Sequence, residues 1–207
     1  MSRMIFLYRL THIDNIPHIL QYGITHKDSP NHNPNYQNIG DISLINVRSD
    51  YQISIKNQSY LLGDYIPFYF GKRMPMSLEI QTGYDVNRTS PEDIVYIAVT
   101  LDAIVALSKD IIFTDGHARN KYTLFYDYND IENINRIIDW SAVNAHYWGG
   151  EENLDIKRRK QAELLVKRDI PPAAISMFGC YNKAAKERLI DMGINEEMIK
   201  ITSESYF

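Results

Sequence analysis

Three observations predict a mixed α+β domain. Short apolar runs with strand character are interspersed with segments whose apolar residues recur at helical spacing. The two kinds do not alternate regularly, as a parallel sheet with crossover helices would require. A length of 207 residues, with 44% hydrophobic and 23% charged side chains, suits one folded unit with a full core, so residues 1–207 read as a single domain.

Taken in order, Ile5 to Leu10 reads as a short strand. Asp14 or Asn15 can then cap a helix through Ile16, Ile19 and Leu20 that stops at Gly23, with Pro17 in the first turn where its missing donor does no harm. Lys27 to Asn38 is rich in Asn, Pro and Ser and reads as a loop excursion. Asp64 to Arg73 is dense in aromatics and suits a buried strand, and Met74 to Tyr84 a short helix. Ile94 to Thr100 is the clearest strand, followed by a short helix over Asp102 to Leu107 and a strand over Ile111 to Thr114. Part of Lys121 to Trp140 reads as helix, and Ala162 to Val166 as a strand. After Pro171 and Pro172, Ile175 to Cys180 forms another strand. Asn182 caps a helix through Ala185, Leu189 and Ile190 that ends at Gly193, and Ile199 to Thr202 suits an edge strand.

Composition removes several functional classes. One cysteine, Cys180, excludes an internal disulfide framework and a cysteine-rich zinc module. No apolar run approaches a membrane span, and the opening MSRMIFLYRL lacks the features of a signal peptide, so a cytoplasmic protein is expected. The net charge of −4 argues against a non-specific nucleic-acid coat. Locally the balance reverses: between Lys157 and Arg168, Lys157, Arg158, Arg159, Lys160, Lys167 and Arg168 face Glu163 alone. A basic patch on an acidic body suits a brief encounter with a polyanion, and equally a solvated charged face.

The chain has no P-loop, no G-x-G-x-x-G, no H-E-x-x-H and no G-x-S-x-G. His12 and His18 are not at i, i+4 spacing, which disfavours a zinc site, and no metal is expected. Polar groups in unusual settings remain. Thr11, His12, Asp14 and Asn15 gather where the first strand meets the first helix, a junction suited to an amide or a phosphate. Helix capping accounts for Asp14 or Asn15 there but not for His12. Thr114, Asp115 and His117 close a strand, where turn chemistry is the plainer account. Arg48 lies among Leu44, Ile45, Val47 and Ile53 and must find an anion or expose its head. Glu163 opens the apolar strand directly after the cationic run; such a carboxylate can stabilise a developing cation, or simply face solvent from a half-buried strand.

As a set, YRLTHIDNIPHIL, NIGDISLINVR, DYIPFYFGKRMPM, IFTDGHA, DWSAVNAHYW and KRRKQAELLV resemble, in this order, blocks of the DarT-type DNA ADP-ribosyltransferase toxins. The resemblance runs from about Tyr8 to Phe207. It implies an ADP-ribosyltransferase core of two packed, mostly antiparallel sheets with peripheral helices and a cleft holding NAD. It also implies transfer of ADP-ribose to a base of single-stranded DNA, usually thymine, with guanine in a related branch. The implied partner is a DarG-like macrodomain antitoxin that removes the modification.

By position in those blocks, Glu163 matches the catalytic glutamate and Arg48 a functional arginine. Thr11, His12, Asn15, Arg48, Tyr69, Arg73 and His117 match the cofactor cleft. The segment from His146 to Lys160 matches the loop that meets DNA, so Lys157, Arg158, Arg159 and Lys160 are expected on phosphates, with Tyr147 and Trp148 as stacking faces; core packing is the other account of Trp148. Glu163 and His117 are both candidates to take the proton from the target base. An RNA or protein ADP-ribosyltransferase, an NAD glycohydrolase and a non-catalytic nucleic-acid-binding module remain rival readings.

Overall fold

The computed structural model of the chain describes residues 4–207. In chain order it contains β1 (Phe6–His12), α1 (Ile16–Tyr22), α2 (Ile42–Ser49), β2 (Gln52–Ile55), β3 (Gln58–Leu61), β4 (Ile66–Tyr69) and α3 (Pro75–Thr82). There follow β5 (Ile94–Thr100), α4 (Leu101–Leu107), β6 (Ile111–Thr114), β7 (Phe125–Asp127), α5 (Ile134–Ile137) and α6 (Trp140–Val143). The chain continues with α7 (Leu154–Lys160), β8 (Glu163–Val166), β9 (Ile175–Cys180), α8 (Lys183–Asp191) and β10 (Ile199–Ile201). The fold class is α+β, as the unordered mixture of strand and helix signals predicts.

Eight strands form one sheet in the order β10-β9-β5-β1-β4-β8-β6-β7. Pairing is antiparallel throughout except between β9 and β10. The centre of this sheet is its weakest seam. β1 and β5 pair over seven residues, from Phe6↔Thr100 to His12↔Ile94, whereas β1 and β4 meet only at Tyr8↔Tyr69. The sheet is therefore two four-stranded halves joined at one residue pair, and beyond that joint a cleft opens between them. Arg9 crosses the seam, its Nη1 donating to the Pro67 carbonyl at 3.1 Å.

The second sheet is the hairpin β2–β3, turned at Lys56 and Asn57, which both adopt positive φ as a tight two-residue hairpin demands. Its Ile53 and Ile55 pack with Leu62 and Tyr65 against Ile112 and Leu165 of the large sheet. The main core lies among alternate residues of the large sheet, such as Leu7, Phe68, Ile97, Phe113 and Leu164, and the helices that cover them, including Ile16, Ile104 and Leu189. Local chemistry sets several boundaries. Thr100 Oγ1 accepts from Ala103 N at the start of α4, Asn182 Oδ1 accepts from Ala185 N at the start of α8, and Gly83 ends α3 in the left-handed region.

Besides the β2–β3 hairpin and β7, to which the sequence reading assigns no strand, four regions differ from that reading. Asp64 to Arg73 contributes only Ile66–Tyr69 to the sheet. Residues 42–49, to which the sequence assigns no element, form α2, capped by Asp41, whose Oδ1 accepts from Ser43 N at 2.7 Å and Leu44 N at 3.2 Å. This helix buries no residue, so it leaves no amphipathic signature. The cationic run is the last turn of a helix, α7, where positive charge complements the helix dipole. The first turn after β1 is capped by His12, whose Nδ1 accepts from Asp14 N at 3.2 Å, and not by Asp14 or Asn15.

The carboxyl end of α2 is held by close approach of Gly63, where an added Cβ would come within 2.6 Å of Ser49 Cα and 2.8 Å of its carbonyl carbon. Gly63→Ala is expected to lower unfolding free energy by about 1–3 kcal/mol, as overpacking against backbone does, measured by urea denaturation.

Candidate active site

Glu163 is held at three points. It opens β8 opposite Tyr69 of β4. Its backbone N–H donates to Thr114 Oγ1 at 3.0 Å, and that hydroxyl donates to the Gly116 carbonyl at 2.7 Å. The side chain is 0% exposed. Its Oε1 accepts from Ala118 N at 3.1 Å and from Arg48 Nη1 at 3.2 Å, and its Oε2 lies 3.0 Å from the same Nη1. A buried carboxylate requires this kind of company, since desolvation without a partner costs several kcal/mol.

The pair is incompletely satisfied. Glu163 Oε2 and Arg48 Nη2 are both buried without a hydrogen bond. An acceptor and a donor left open side by side mark a place for a polar ligand group. Burial works against the charged guanidinium, but the Glu163 carboxylate overcomes it and holds Arg48 above its ordinary value. Burial, reinforced by the Glu163 charge, also raises Tyr69, which stays a neutral phenol. His117 is held below the usual imidazole value mainly by burial; Glu163 pulls the other way, while Arg48, Arg119 and Lys157 add to the lowering. Its imidazole is therefore neutral at pH 7.

Two spaces lie near this pair, one walled in part by Arg48 and the other by Tyr69, the cross-strand partner of Glu163. A cleft of about 690 Å³ lies at the opened seam, with Arg9, Thr11, Asn15, Arg48 and Pro67 among its walls. A smaller hollow of about 280 Å³ is bordered by Tyr69, Met76, Glu79, His117, Lys157 and Gln161. Helix α2 contributes to both, Ile45, Asn46 and Arg48 to the cleft and Leu44 to the hollow. Glu163 itself is in neither wall. It sits behind Arg48 on the cleft side, and Tyr69, its cross-strand partner, borders the hollow.

The residues singled out in the sequence separate into groups. Thr11 and Asn15 line the cleft, yet Asn15 is fully engaged: its Nδ2 donates to Thr11 Oγ1 at 3.0 Å and to the Gln37 carbonyl at 2.9 Å, and its Oδ1 accepts from Gln37 N at 2.8 Å. Asn15 thus pins the Asn-rich loop to the cleft rim. His12 borders neither space. Tyr69 and His117 border the hollow, and Arg73 lies elsewhere, beside a third cavity.

The expected DNA contacts need correction. Lys160 is 2% exposed and donates to the Val143 and Ala145 carbonyls at 3.0 and 2.6 Å, with its ammonium 4.8 Å from the Trp148 ring. Trp148 is itself buried edge-to-face against Phe207, so it offers no stacking face, whereas Tyr147 is 69% exposed. Arg158 is paired with Asp115 and Asp155 at 3.0 and 2.9 Å, and Arg159 with Asp139 and Asp155. Only Lys157 of the four faces the hollow without a carboxylate within 4 Å among the described residues. Sequence reading missed the Ala118 N–H, which no side-chain pattern marks, and Gln161, whose one signal is its place two residues before Glu163.

The chain was compared with known proteins. A family model described as "ssDNA thymidine ADP-ribosyltransferase, DarT" matches residues 8–207. The DNA ADP-ribosyl transferase of Thermus sp. (strain 2.9) is 29% identical over 186 residues, covering 89% of this chain and 85% of that protein. A DNA ADP-ribosyl transferase-DNA ADP-ribosyl glycohydrolase fusion protein of Thermosipho africanus is 33% identical over 171 residues, covering 82% of this chain and 41% of the fusion. Among solved structures, Thermus sp. 2.9 DarT in complex with ADP-ribosylated ssDNA superposes with a TM-score of 0.84 at 25% identity, over 100% of both chains. The same protein in complex with NAD+ gives 0.78 at 25% identity, covering 98% of this chain and 97% of that one.

The burial of Lys160 has a measurable consequence. Desolvation, then the nearby Arg73 charge, lowers its pKa from 10.5 to about 8. The unfolded chain therefore binds more protons here between about pH 8 and pH 10.5, so this group makes unfolding free energy rise with pH across that window and adds no slope below it. Urea titrations of wild type and Lys160→Met are expected to differ in slope only there.

Proposed function

The chain belongs to the DarT family of single-stranded-DNA ADP-ribosyltransferases, and from that membership we propose that it transfers ADP-ribose from NAD to thymine in single-stranded DNA. It is a DNA ADP-ribosyltransferase. The observation that carries the site assignment is the buried Glu163 carboxylate, held by Arg48 and the Ala118 N–H between cleft and hollow. In this reading NAD occupies the cleft at the seam and the target base enters the hollow. The Thermus relative bound to NAD+ and to ADP-ribosylated ssDNA supports both substrates.

The chemistry follows from the donor set. The bond between ribose C1′ and the nicotinamide nitrogen breaks, its electron pair leaving with nicotinamide as a neutral group. The ribose carbon becomes oxocarbenium-like, the class of transition state met in glycoside cleavage. Glu163 opposes that charge and accepts from the ribose 2′-hydroxyl through Oε2, which has an ion-pair contact to Arg48 Nη1 but no hydrogen bond. Arg48 Nη2, the matching open donor, takes a cofactor or base oxygen. A leaving group that departs neutral needs no general acid, so one carboxylate suffices. A ring nitrogen of the base then bonds to C1′ as its proton leaves. Glu163 is already engaged by Arg48, whereas neutral His117 borders the hollow, which favours His117 as the acceptor.

The cell biology is part of the same proposal. The fusion of a related transferase with a DNA ADP-ribosyl glycohydrolase supports a reversible modification and a DarG-like antitoxin partner. Among the described residues no helix is long and apolar enough to cross a membrane, and action in the cytoplasm, on the cell's own DNA, follows from this role.

Glu163→Gln keeps an acceptor for Ala118 N–H but removes the negative charge. It is expected to fold, with lower stability because Arg48 loses its counter-charge, and to lose at least about a hundredfold in modification rate. Circular dichroism and mass spectrometry of oligonucleotides incubated with NAD check the two halves; full activity would refute the assignment. Arg48→Ala is expected to cost more than about tenfold, or about 1.4 kcal/mol of barrier. Running the same assay with thymine-free DNA, RNA and protein acceptors decides the target, and label on guanine would overturn the thymine reading.

A further inference from the structure

A third cavity, of about 440 Å³, lies next to the hollow along the chain. The two share no lining residue, but Tyr69 borders the hollow where Phe70 borders the cavity. Lys157 and Gln161 border the hollow where Lys160, in the same turn, borders the cavity. Lys72, Arg73 and Lys160 all contribute to its wall, with His146 near them, and Glu204 is the one acidic residue there.

Among the described residues, none of these three cations is neutralised by a carboxylate. Arg158 and Arg159 each have two carboxylate partners, but none of Lys72, Arg73 and Lys160 has a carboxylate within 4 Å among the described residues. They are held in place by other means. The Arg73 guanidinium lies 4.4 Å from the Phe207 ring centroid, Lys72 Nζ 5.6 Å from that of Tyr8, and Lys160 is fixed by two carbonyls. Arg73 Nε is buried and has no hydrogen-bond partner. Its backbone sits at φ 47°, a region that costs a non-glycine residue of order 1 kcal/mol or more and that clusters at functional sites. Like charges gathered in a partly desolvated wall repel one another until an anion enters.

We propose that this cavity is a phosphate subsite that takes a phosphodiester of the DNA strand adjoining the base in the hollow. A phosphate supplies the missing counter-charge and an acceptor for Arg73 Nε, and two of its oxygens can meet a planar guanidinium fork whose orientation is already fixed by the Phe207 ring. The occupant is assigned to DNA because the cavity shares no residue with the seam cleft assigned to NAD, while Phe70 and Lys160 of its wall are the chain neighbours of Tyr69 and Gln161 in the hollow assigned to the base. The inference rests on single-stranded DNA being the acceptor.

The test is the salt dependence of affinity for a fluorescent thymine-containing oligonucleotide, measured without NAD between 50 and 200 mM salt. A single-strand phosphate contact contributes about 0.7 to the slope of log K against log salt. Lys72→Gln and Lys72→Gln/Arg73→Gln are expected to flatten the slope, by about 0.7 in the double variant, and Arg73→Lys to restore most of it in the background of native Lys72. Lys72 is partly exposed and, unlike Arg73, has no buried unpaired atom, so its variant reports even where the Arg73 change unfolds the protein. An unaltered slope in folded variants overturns the inference. So does a raised KM for NAD in hydrolysis without DNA, which would assign the cavity to the dinucleotide. Wild-type protein that neither binds nor modifies the oligonucleotide overturns the DNA reading beneath it.

Discussion

One ion pair organises this protein. The Glu163 carboxylate is removed from water at the start of β8 and answered by Arg48 from a helix 115 positions earlier in the chain. A pair in this setting is a poor source of stability, because desolvation of both charges offsets most of their attraction. What it supplies is a fixed field where a positive charge can develop. Thr114, Gly116 and Ala118 hold the backbone and one carboxylate oxygen, so the geometry exists before any substrate arrives.

The second constraint is the seam. An unbroken eight-stranded sheet has no room for a ligand between neighbouring strands. Here β1 and β4 are joined at Tyr8↔Tyr69 alone, and the space beyond that joint becomes the large cleft. The backbone groups exposed by the opening are met by side chains, as where Arg9 reaches the Pro67 carbonyl. Helix α2 closes one side of the cleft while burying no residue of its own, so the element that carries Arg48 contributes nothing to the apolar core.

The basic run shows how a charge count misleads. Six cations against one acid between positions 157 and 168 suggest a phosphate-binding face. In three dimensions Asp115, Asp139 and Asp155 take up Arg158 and Arg159, and backbone carbonyls take up Lys160. Asp155 is a local partner, one helical turn before the arginines, but Asp139 and Asp115 sit 20 and 43 positions away, beyond the reach of any local window. The free positive charge is at Lys157 and, less expectedly, at Lys72 and Arg73, which look unexceptional in the sequence.

By itself the sequence determined seven of the eight strands of the large sheet and the α+β class, and it singled out Glu163 and Arg48; β7 lies in a segment read in part as helix. Apolar periodicity and caps are local, and a carboxylate beginning an apolar strand is conspicuous wherever it occurs. It was silent on α2, whose apolar Ile42, Ile45 and Val47 stay exposed and so follow no burial pattern; it placed Asp14 or Asn15 at the start of the first helix, but the side-chain cap comes from His12 one short turn earlier. Tertiary structure alone decided that β1 and β4 part, that Asn15 serves as a clip for the loop at Gln37, and that Trp148 belongs to the interior. Each of these depends on which distant backbone or side chain arrives to satisfy a polar group or cover an apolar one, and that is fixed only when the chain closes on itself.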